Sequence, residues 1–588
     1  MCGIWAFINL LKQNGTSSIV PNYEQLFADF MKMKARGPDS TDFQIIKNLS
    51  VGFHRLAIME PSIHANQPYI IKDNERTVVF VCNGEIYDFK ELIQKYDLPI
   101  HNNADCMTLL QLYLKYVKHN SNGRNDISRF TELFSYQIKG EYAFLLFEFD
   151  RLMNLKEVVC GRDHIGIRPL YWGFEYDVPM VINPNYTSLI FGSEIKSMVS
   201  FRGHVKEFQP GTIKHFSLDA MGNLNYEKEH DFKTIYNVVP MDDKFIKNVE
   251  ETEQMLLTKV RESFINAVKR RMVADTNIAY LLSGGLDSAA CSSVAAALSN
   301  KPISTYCLGL IGTDSTDIKF ARRAAEHIKS RHTEVMVTIE EALSMIETVV
   351  KVIESHCITS VRASIPQYLV CKYIGEKTDA KVIMTGEAND EISAGYRLFY
   401  YAPSPDEMHK ACLEYVQRIH MYDGRRCDRA VSAASCEARV PFADPMFIST
   451  YWSVPSKLRM PTSEHMEKEF FRRAFDGTDI IEKTVLWRRK EAFSDGISGT
   501  AKSWFQILQE HIETLVSDEE FANNTWNAQT KEDYYYKKLF VKHYGEQRLN
   551  IIPGHWQPKW DANCNELKGY VDPSARTLAN YNPEAQEL

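Results

Sequence analysis

A cysteine stands at position 2 of the chain, directly after the first methionine. A small second residue is the usual condition for removal of that methionine, and Cys2 would then carry a free α-amino group. Such an amine has an ordinary pKa of about 7.7–8.0, so a neutral fraction is available at cellular pH to accept the thiol proton. Cys2 is therefore a candidate nucleophile with its own base, although an arbitrary cysteine is, by roughly ten to one, a small buried apolar residue.

Three polar segments after this cysteine carry residue types that suit amide hydrolysis. They are Arg36-Gly37-Pro38-Asp39, Gly52-Phe53-His54-Arg55-Leu56 and Asn83-Gly84-Glu85-Ile86-Tyr87. Hydrolysis of an amide develops an oxyanion that needs preorganised N–H donors, and a guanidinium binds a carboxylate with two parallel hydrogen bonds. Taken singly, Asn83-Gly84 would indicate only a hairpin turn, and Arg55 with Glu85 only a surface ion pair.

A second set of residues suits the binding of a nucleotide. Ile278–Leu282 indicates a buried strand, Ser283-Gly284-Gly285-Leu286-Asp287-Ser288 a tight glycine turn, and Ala289–Ala297 a helix. This order presents backbone N–H groups and the positive end of a helix to an anion. The turn lacks the Gly-Lys-Ser/Thr ending of a Walker loop, and by itself such a turn would have no ligand in roughly two-thirds of cases.

Acidic and basic residues follow at places where they could complete this nucleotide site. Gly386-Glu387-Ala388-Asn389-Asp390-Glu391 comes directly after the predicted strand Val382–Thr385. Asp287 and Asp390 could bind Mg²⁺, a hard cation that prefers carboxylate oxygens. Thr359 and Arg362 (in Thr359-Ser360-Val361-Arg362-Ala363-Ser364) and Lys490 could contact phosphate charge, although single basic residues are more often solvated.

The first half resembles the class II glutamine amidotransferases, through Cys2 and the three ordered segments. The resemblance implies that Cys2 is the nucleophile, and that the side-chain amide of Asn83 and the N–H of Gly84 form the oxyanion hole. It also implies a glutamine site formed by Arg55, Asn83, Glu85 and Asp105. Ala35 and Met107 depart from the family, which usually has histidine and glutamate there, and neither change touches the nucleophile.

The second half resembles the ATP-pyrophosphatase domain of the asparagine synthetases. The motifs that carry this resemblance are the Ser283–Ser288 turn, the Thr359–Ser364 and Gly386–Glu391 segments, Trp487–Gly496, Glu437–Phe442 and Asp572–Leu578. The resemblance implies a site for ATP and pyrophosphate at Leu281, Ser283, Gly284, Gly285, Asp287, Ser288, Leu308, Thr359, Thr385 and Gly386. It implies Mg²⁺ at Asp287 and Asp390, charge stabilisation by Arg362 and Lys490, and Glu387 as a general base.

Together the two resemblances imply ATP-dependent synthesis of asparagine from aspartate. The carboxylate of aspartate would attack the α-phosphorus of ATP, giving aspartyl-AMP and pyrophosphate, and ammonia released from glutamine would then displace AMP. Four positions depart from the family's usual second half: Cys357 stands for aspartate, Ala388 for glycine, Asn389 for serine and Ala443 for leucine. If position 388 needs a positive φ, alanine is strained there.

Two alternatives stay open at this point. A β-lactam synthetase-like enzyme shares both folds and the adenylation chemistry, but typically lacks the terminal cysteine. A non-catalytic sensor that binds glutamine and ATP would be favoured by the loss of Cys2, Asp287 or Glu387, and all three are present.

The pattern of apolar and polar residues along the chain predicts the strands and helices that must position these residues. Short alternating apolar stretches up to about Phe201 favour stacked antiparallel sheets, an α+β N-terminal nucleophile fold. Beyond about Glu250, alternating strands and amphipathic segments favour a doubly wound α/β fold with a parallel sheet. We predict a glutaminase domain at 2–205, a linker at 206–250, a synthetase domain at 251–545 and a tail at 546–588.

Composition excludes several other classes of protein. The 588 residues are 44% hydrophobic and 24% charged with a formal net charge of −8, which is ordinary for a globular protein. Basic clusters such as Arg425-Arg426 are short, so we expect no nucleic acid partner, and no apolar run reaches the ~18 residues of a membrane span. We expect a cytoplasmic enzyme, compatible with a homodimer. The 12 cysteines include no CxxC pair, which argues against a disulfide framework and a zinc site.

Overall fold

The computed structural model describes residues 1–10, 22–99, 103–119, 125–176, 186–219, 224–242, 249–490, 496–498, 502–552, 554–561, 563 and 565–567. The chain divides into two compact units, Met1–Thr234 and Ile235–Leu588. Two parts of the predicted motifs, 491–495 and 572–578, lie outside the described residues.

The first unit contains two six-stranded antiparallel sheets, in the orders β12-β10-β11-β1-β3-β2 and β14-β13-β9-β8-β5-β4. The strands are β1 Gly3–Asn9, β2 Ser40–Ile46, β3 Leu49–Arg55, β4 Tyr69–Lys72, β5 Arg76–Ile86, β6 Lys118–His119, β7 Asn125–Asp126, β8 Gly140–Asp150, β9 Leu155–Arg162, β10 Tyr171–Tyr176, β11 Tyr186–Gly192, β12 His204–Glu207, β13 Thr212–Leu218 and β14 Leu224–Asp231. The helices are Tyr23–Met31, Phe89–Lys95, Met107–Tyr116 and Ser128–Tyr136.

The two sheets pack face to face through their alternating apolar side chains. Ile4, Ala6 and Ile8 of β1 share one buried cluster with Val79 and Val81 of β5. The opposite face of the second sheet packs against the helices Phe89–Lys95, Met107–Tyr116 and Ser128–Tyr136. This arrangement confirms the predicted stacked antiparallel sheets.

Part of the predicted linker is strand. Within 206–250, β13 and β14 extend the second sheet of the first unit. β14 is the edge strand of that sheet, and its described side chains are mostly polar. An edge strand with a polar composition gives little of the apolar alternation by which strands are predicted.

The second unit is built around a five-stranded parallel sheet in the order β17-β16-β15-β18-β19. Its strands are β15 Asn277–Leu281, β16 Ser304–Leu310, β17 Arg331–Val337, β18 Ala380–Met384 and β19 Glu437–Arg439. The strand order reverses at β15, so the carboxyl ends of β15 and β18 border the switch point where ligands bind in such folds. This topology confirms the predicted doubly wound α/β fold.

The helices of the second unit surround this sheet. They are Val249–Arg271, Leu286–Leu298, Thr316–His327, Ile339–Ser344, Ile346–Ile353, Ile358–Lys377, Asn389–Ile392, Pro405–Arg418, Asp423–Ala433, Pro445–Ser453, Ser456–Arg459, Glu469–Phe475, Lys483–Leu486, Trp504–Leu515, Asp518–Ala522 and Lys531–Tyr544. Among the described helices, none is long and apolar enough to cross a membrane. The cysteines that the structure describes are all outside disulfide bonds.

Candidate active sites

Cys2 immediately precedes β1, and a buried arginine holds its backbone. The Nε–H of Arg36 donates to the carbonyl of Cys2 at 3.0 Å, and Nη1 forms an ion pair with Glu194 at 2.8 Å. The Sγ of Cys2 lies 3.8 Å from the carbonyl oxygen of Leu56. The sequence marked Arg36 only as part of a motif, and the structure gives it a positioning contact to the candidate nucleophile.

The segments after Arg36 and around Arg55 are tied together by close backbone contacts. A Cβ on Gly37 would lie 2.3 Å from the backbone of His54, so only glycine fits there. The N–H of Asp39 donates to the carbonyl of Arg55 at 3.0 Å. The N–H of Ala57 donates back to the Asp39 carboxylate at 2.7 Å. This explains the residue types of the Arg36–Asp39 segment.

His54, in the segment around Arg55, has a buried and neutral ring. It stacks on Phe30 with ring centroids 4.0 Å apart, and its Nδ1 is 2.9 Å from the hydroxyl of Thr41. Burial lowers the pKa of His54 from 6.5 to about 4, against the opposing effect of the Phe30 carbonyl. The ring is therefore uncharged at neutral pH.

Asn83 is the clearest sign of a ligand in the first unit. It lies on β5, is fully buried, and neither its amide nitrogen nor its amide oxygen has a hydrogen-bond partner among the described residues. Leaving a buried amide unsatisfied costs about 1–3 kcal/mol, so the group calls for a partner such as water or a bound molecule. The oxyanion role of Asn83 stays a prediction.

Three other residues are predicted to bind glutamine. Glu85 follows Asn83 on β5, and the side chains of Arg55 and Asp105 hydrogen-bond to neighbouring segments. The guanidinium of Arg55 donates to the carbonyl of Ser62 and the side chain of Asn66, both at 2.7 Å, and so organises the 59–66 loop. Asp105 accepts the N–H of Ile86 at 2.6 Å, which fixes the end of β5 beyond the buried Glu85.

A cavity of about 250 Å³ lies at the switch point of the second unit. The predicted residues that line it are Leu281, Ser283, Asp287, Ser288, Leu308, Thr359, Arg362, Thr385, Gly386, Glu387, Asp390 and Lys490. A second cavity of about 60 Å³ is lined by Gly285, by the carboxylates of Asp287 and Asp317, and by five basic residues, Lys468, Arg472, Arg488, Arg489 and Lys490. The structure therefore gathers residues that are far apart in the sequence around one cavity.

The glycine turn has the tight geometry that the sequence predicts. Gly284 has φ +75°, and a Cβ there would lie 2.4 Å from the backbone N of Ala321. The N–H of Ser283 donates to the Ser288 hydroxyl at 3.1 Å, which closes the turn. A Cβ on Gly386 would lie 2.6 Å from the backbone N of Ser288, so the loops after β15 and β18 are in direct contact.

Two lysines bind the two carboxylates that were predicted to hold Mg²⁺. The Nζ of Lys468 lies 2.6 Å from an oxygen of Asp287 and 2.6 Å from an oxygen of Asp390. The Nζ of Lys490 is 2.6 Å from the other oxygen of Asp390. Burial alone would raise the pKa of Asp390, but the two ammonium groups hold it well below its usual range. Lys468 belongs to none of the predicted motifs.

Glu387 is paired with an arginine that the sequence did not single out. Arg426 donates to both carboxylate oxygens of Glu387, at 3.0 and 2.8 Å, and the amide of Gln367 donates at 3.2 Å. Burial raises the pKa of Glu387, and the charge of Arg426 opposes this. Arg426 comes from a short basic cluster with no motif, so only the fold reveals its role.

Arg362 lines the cavity with its guanidinium engaged elsewhere. Its Nε and Nη2 donate to the two carboxylate oxygens of Glu532 at 2.9 and 2.6 Å, and it lies 5.2 Å from the ring centre of Phe505. Glu532 lies in a C-terminal region that gave no signal in the sequence.

The two departures after Glu387 have distinct structural consequences. Ala388 has φ +77°, the left-handed conformation that glycine adopts without strain. Asn389 is fully buried and donates to Asp287 at 2.6 Å, while its amide oxygen accepts from Ser393 at 2.7 Å. Asn389 therefore joins the loops after β15 and β18.

Comparisons with known proteins agree with both halves of this description. A family model described as asparagine synthase matches residues 259–407 and 402–565, and a glutamine amidotransferase domain model matches residues 1–253. The chain is 34% identical over 608 residues to the glutamine-hydrolyzing asparagine synthetase of Gallus gallus, covering 100% of both chains. It is 34% identical to that of Homo sapiens, covering 99% of each. A solved glutamine phosphoribosylpyrophosphate amidotransferase from B. subtilis matches 57% of this chain and 65% of its own length, with a TM-score of 0.29 and 14% identity.

Proposed function

Because the chain belongs to the asparagine synthetase family, we propose that it makes asparagine from aspartate in an ATP-dependent reaction, using ammonia that it releases from glutamine. It is thus a carbon–nitrogen ligase with glutamine as amido donor. The observation that carries the proposal is the cavity at the ends of β15 and β18, where a glycine turn meets Asp287 and Asp390, in a chain that also bears Cys2 before β1.

In the first unit, Cys2 attacks the side-chain amide of glutamine once Met1 has been removed and its α-amino group is free to take the thiol proton. Asn83 and the N–H of Gly84 then stabilise the oxyanion. The buried, unpartnered amide of Asn83 supports this role. Arg55, Glu85 and Asp105 hold the α-carboxylate and α-amino groups of glutamine.

In the second unit, the carboxylate of aspartate attacks the α-phosphorus of ATP to give aspartyl-AMP. The glycine turn, with Gly284 and Gly285, cradles the phosphates. Leu281 and Leu308 pack against the adenosine, with Thr385 and Gly386 beside it. The basic lining of the smaller cavity supports its use for the departing pyrophosphate.

We propose that Mg²⁺ binds together with ATP, and the carboxylates at this site suit the ion. The carboxylates of Asp287 and Asp390 converge within 2.6 Å of one point, the Lys468 ammonium, so they can share a cation. Two carboxylates plus substrate phosphates are a usual ligand set for Mg²⁺. When bound, the ion neutralises negative charge on the pyrophosphate. Lys468 and Lys490 lower the pKa of Asp390 and keep it ionised, and Lys490 supplies a further positive charge at the site.

The ammonia that displaces AMP must lose a proton. Glu387 lines the cavity and is the base that we assign to this step. Arg426 and Gln367 fix its orientation through the contacts described above, and Thr359 and Arg362 line the same cavity. Water must be excluded, because it would hydrolyse aspartyl-AMP.

The test is one turnover assay with aspartate, glutamine and Mg-ATP, in which asparagine, AMP, pyrophosphate and glutamate are all quantified. We expect asparagine, AMP and pyrophosphate in equal amounts. AMP formation with a different acid but not with aspartate would favour the β-lactam synthetase-like alternative. Binding of glutamine and ATP without any product would favour the sensor.

By resemblance to the family, we also propose that the chain forms a homodimer in the cytoplasm. Light scattering on the purified chain should give twice the monomer mass of 67.7 kDa. Cell fractionation tests the compartment separately.

A further inference from the structure

Three side chains of types that can bind a metal lie close together in the second unit, outside the lining of the cavity at the ends of β15 and β18. His356 precedes the helix Ile358–Lys377, Asp533 lies in the helix Lys531–Tyr544, and His555 lies in the segment after it. One ligand atom from each lies within 4.8 Å of the other two. His356 and Asp533 are buried, and the His555 side chain is 9% exposed.

Asp533 is held so that one oxygen faces the histidines. Its Oδ2 accepts the N–H of Gln529 at 2.9 Å and the ammonium of Lys537 at 3.1 Å. Its Oδ1 lies 2.9 Å from Nε2 of His555. Such contacts to the second oxygen are the kind that orient carboxylate ligands in metal sites.

His356 presents a lone pair to the same point. Its Nε2 lies 3.4 Å from the carbonyl oxygen of Leu549, and because a carbonyl can only accept, Nε2 carries the proton. Nδ1 is then an acceptor, and this buried atom has no hydrogen-bond partner among the described residues. A histidine whose other nitrogen donates to a backbone carbonyl is the usual form of a metal ligand.

We propose that His356 Nδ1, Asp533 Oδ1 and His555 Nε2 bind a zinc ion. Zinc takes imidazole nitrogens and carboxylate oxygens at about 2.0–2.2 Å, so tetrahedral ligand atoms stand roughly 3.4 Å apart. The 2.9 Å pair of His555 and Asp533 must open by about half an ångström, and the other two pairs, which lie within 4.8 Å, must close by at most about 1.4 Å. The absence of a CxxC pair, which argued against zinc in the sequence, does not bear on a site whose ligands come from three separate segments.

Cys357 contacts His555 without binding the metal itself. Its thiol is hydrogen-bonded to the His555 ring and accepts the N–H of Trp556 at 3.4 Å. The N–H of Ile358 also donates to Nδ1 of His555, at 3.2 Å. These contacts hold the ring so that Nε2 faces Asp533.

The metal would join three parts of the wall of the nucleotide cavity. The helix after His356 carries Thr359 and Arg362, the helix with Asp533 carries Glu532, and Trp556 follows His555 and lines the cavity. The zinc ion is thus a structural cross-link next to the synthetase site. The proposal does not depend on the substrate of that site.

The test uses the untagged full-length chain, stripped of metal and titrated with Co²⁺ without nucleotide. We expect one equivalent to produce the visible d–d bands of tetrahedral Co²⁺, zinc to displace it, and zinc to raise the thermal midpoint. His356→Gln should abolish the bands. The matched control His409→Gln, at another buried histidine of the second unit, should retain them, as should Asp390→Asn at the nucleotide site.

A Cys357 variant separates this site from a simple ion-pair cluster. Cys357→Ala should weaken zinc binding about 10–100-fold, as loss of an outer partner does. Absence of tight stoichiometric Co²⁺ binding by the unmodified chain would overturn the proposal, whether or not the histidine variant folds. Unchanged bands in a folded His356→Gln variant would also overturn it.

Discussion

Ala388 shows how one residue can conflict with the backbone that it occupies. Its φ of +77° places the Cβ in a region that costs roughly 1–2 kcal/mol for a non-glycine residue. We expect Ala388→Gly to raise the free energy of unfolding of the second unit by about 1 kcal/mol, because glycine removes this strain but gains freedom in the unfolded chain. Chemical denaturation measures the change.

The control for this substitution is an alanine in regular helix. Ala296→Gly in the helix Leu286–Leu298 should lower the unfolding free energy by about 0.5–1 kcal/mol. If both glycine variants were destabilised alike, the strain at position 388 would be refuted.

A substitution at Asn83 should test the chemistry of the first unit without disturbing its fold. Because its amide makes no hydrogen bond to the described residues, Asn83→Ala should preserve the thermal midpoint within a few degrees. The loss of an oxyanion donor should lower kcat for glutamate release about 10²–10³-fold. Asn48→Ala, at a side chain that donates to the Asn9 carbonyl, is the control and should leave kcat unchanged. A normal kcat for Asn83→Ala would contradict the assignment.

The lowered pKa of His54 predicts that the stability of the first unit depends on pH. Its pKa in the folded chain is about 4, chiefly because of burial, against an ordinary value of 6.5. The unfolded state therefore binds more protons below pH 6.5, and about 2–3 kcal/mol of stability should be lost as the pH falls from about 6.5 to 4.

The measurement is the unfolding free energy of the first unit at a series of pH values. His54→Gln should flatten the slope in this window, whereas His64→Gln, at an exposed histidine, should leave it as in the unmodified chain. Parallel slopes in all three proteins would rule out His54 as the titrating group.

At the scale of elements, the sequence predicts what is encoded locally. The strand–turn–helix order around Ser283 and the acidic loop after β18 follow from short contiguous patterns, and the structure has β15, β18 and their loops at the predicted places. Gly284 and Gly386 are needed for close backbone contacts, so the motif and the geometry have the same cause.

The partners of these residues could not be predicted in this way. Lys468, Arg426 and Glu532 reach Asp287, Glu387 and Arg362 from distant parts of the chain, with sequence separations of 181, 39 and 170 residues. None of the three lies in a recognisable pattern. Tertiary packing alone selects them, because a buried charge requires a counter-charge from whichever element is near.

A substitution at Lys468 tests whether the buried carboxylates require this counter-charge. Lys468→Met leaves Asp287 and Asp390 close together with one of their two lysines removed, so we expect the unfolding free energy to fall by about 3–5 kcal/mol. Mg²⁺ should then stabilise the variant more than the unmodified chain, because a divalent ion can occupy the place between the carboxylates. Thermal shift measurements with and without MgCl₂ check both effects.

Lys457→Met, at an exposed lysine of the same unit, should show neither change. An equal Mg²⁺ shift in all three proteins would contradict a cation place between Asp287 and Asp390.

At the scale of the whole molecule, the chain consists of two units with separate chemistries. The glutamine amidotransferase model and the asparagine synthase model match different parts of it, and the relatives match over its full length. In the function that we propose, ammonia is the only compound that the first reaction supplies to the second. The two activities should therefore be separable by a single substitution in the first unit.

Cys2→Ala is that substitution. Without the thiol no covalent intermediate forms with glutamine, so glutamine-dependent asparagine synthesis should fall to background. The second unit is unchanged, so added ammonium should support synthesis at the rate of the unmodified chain with ammonium. The measurement is asparagine formed with glutamine or ammonium in parallel, with N-terminal mass analysis of the unmodified chain to establish removal of Met1. An equal loss with both nitrogen sources would mean that Cys2 acts on the fold of the whole chain, and that the two sites do not work independently.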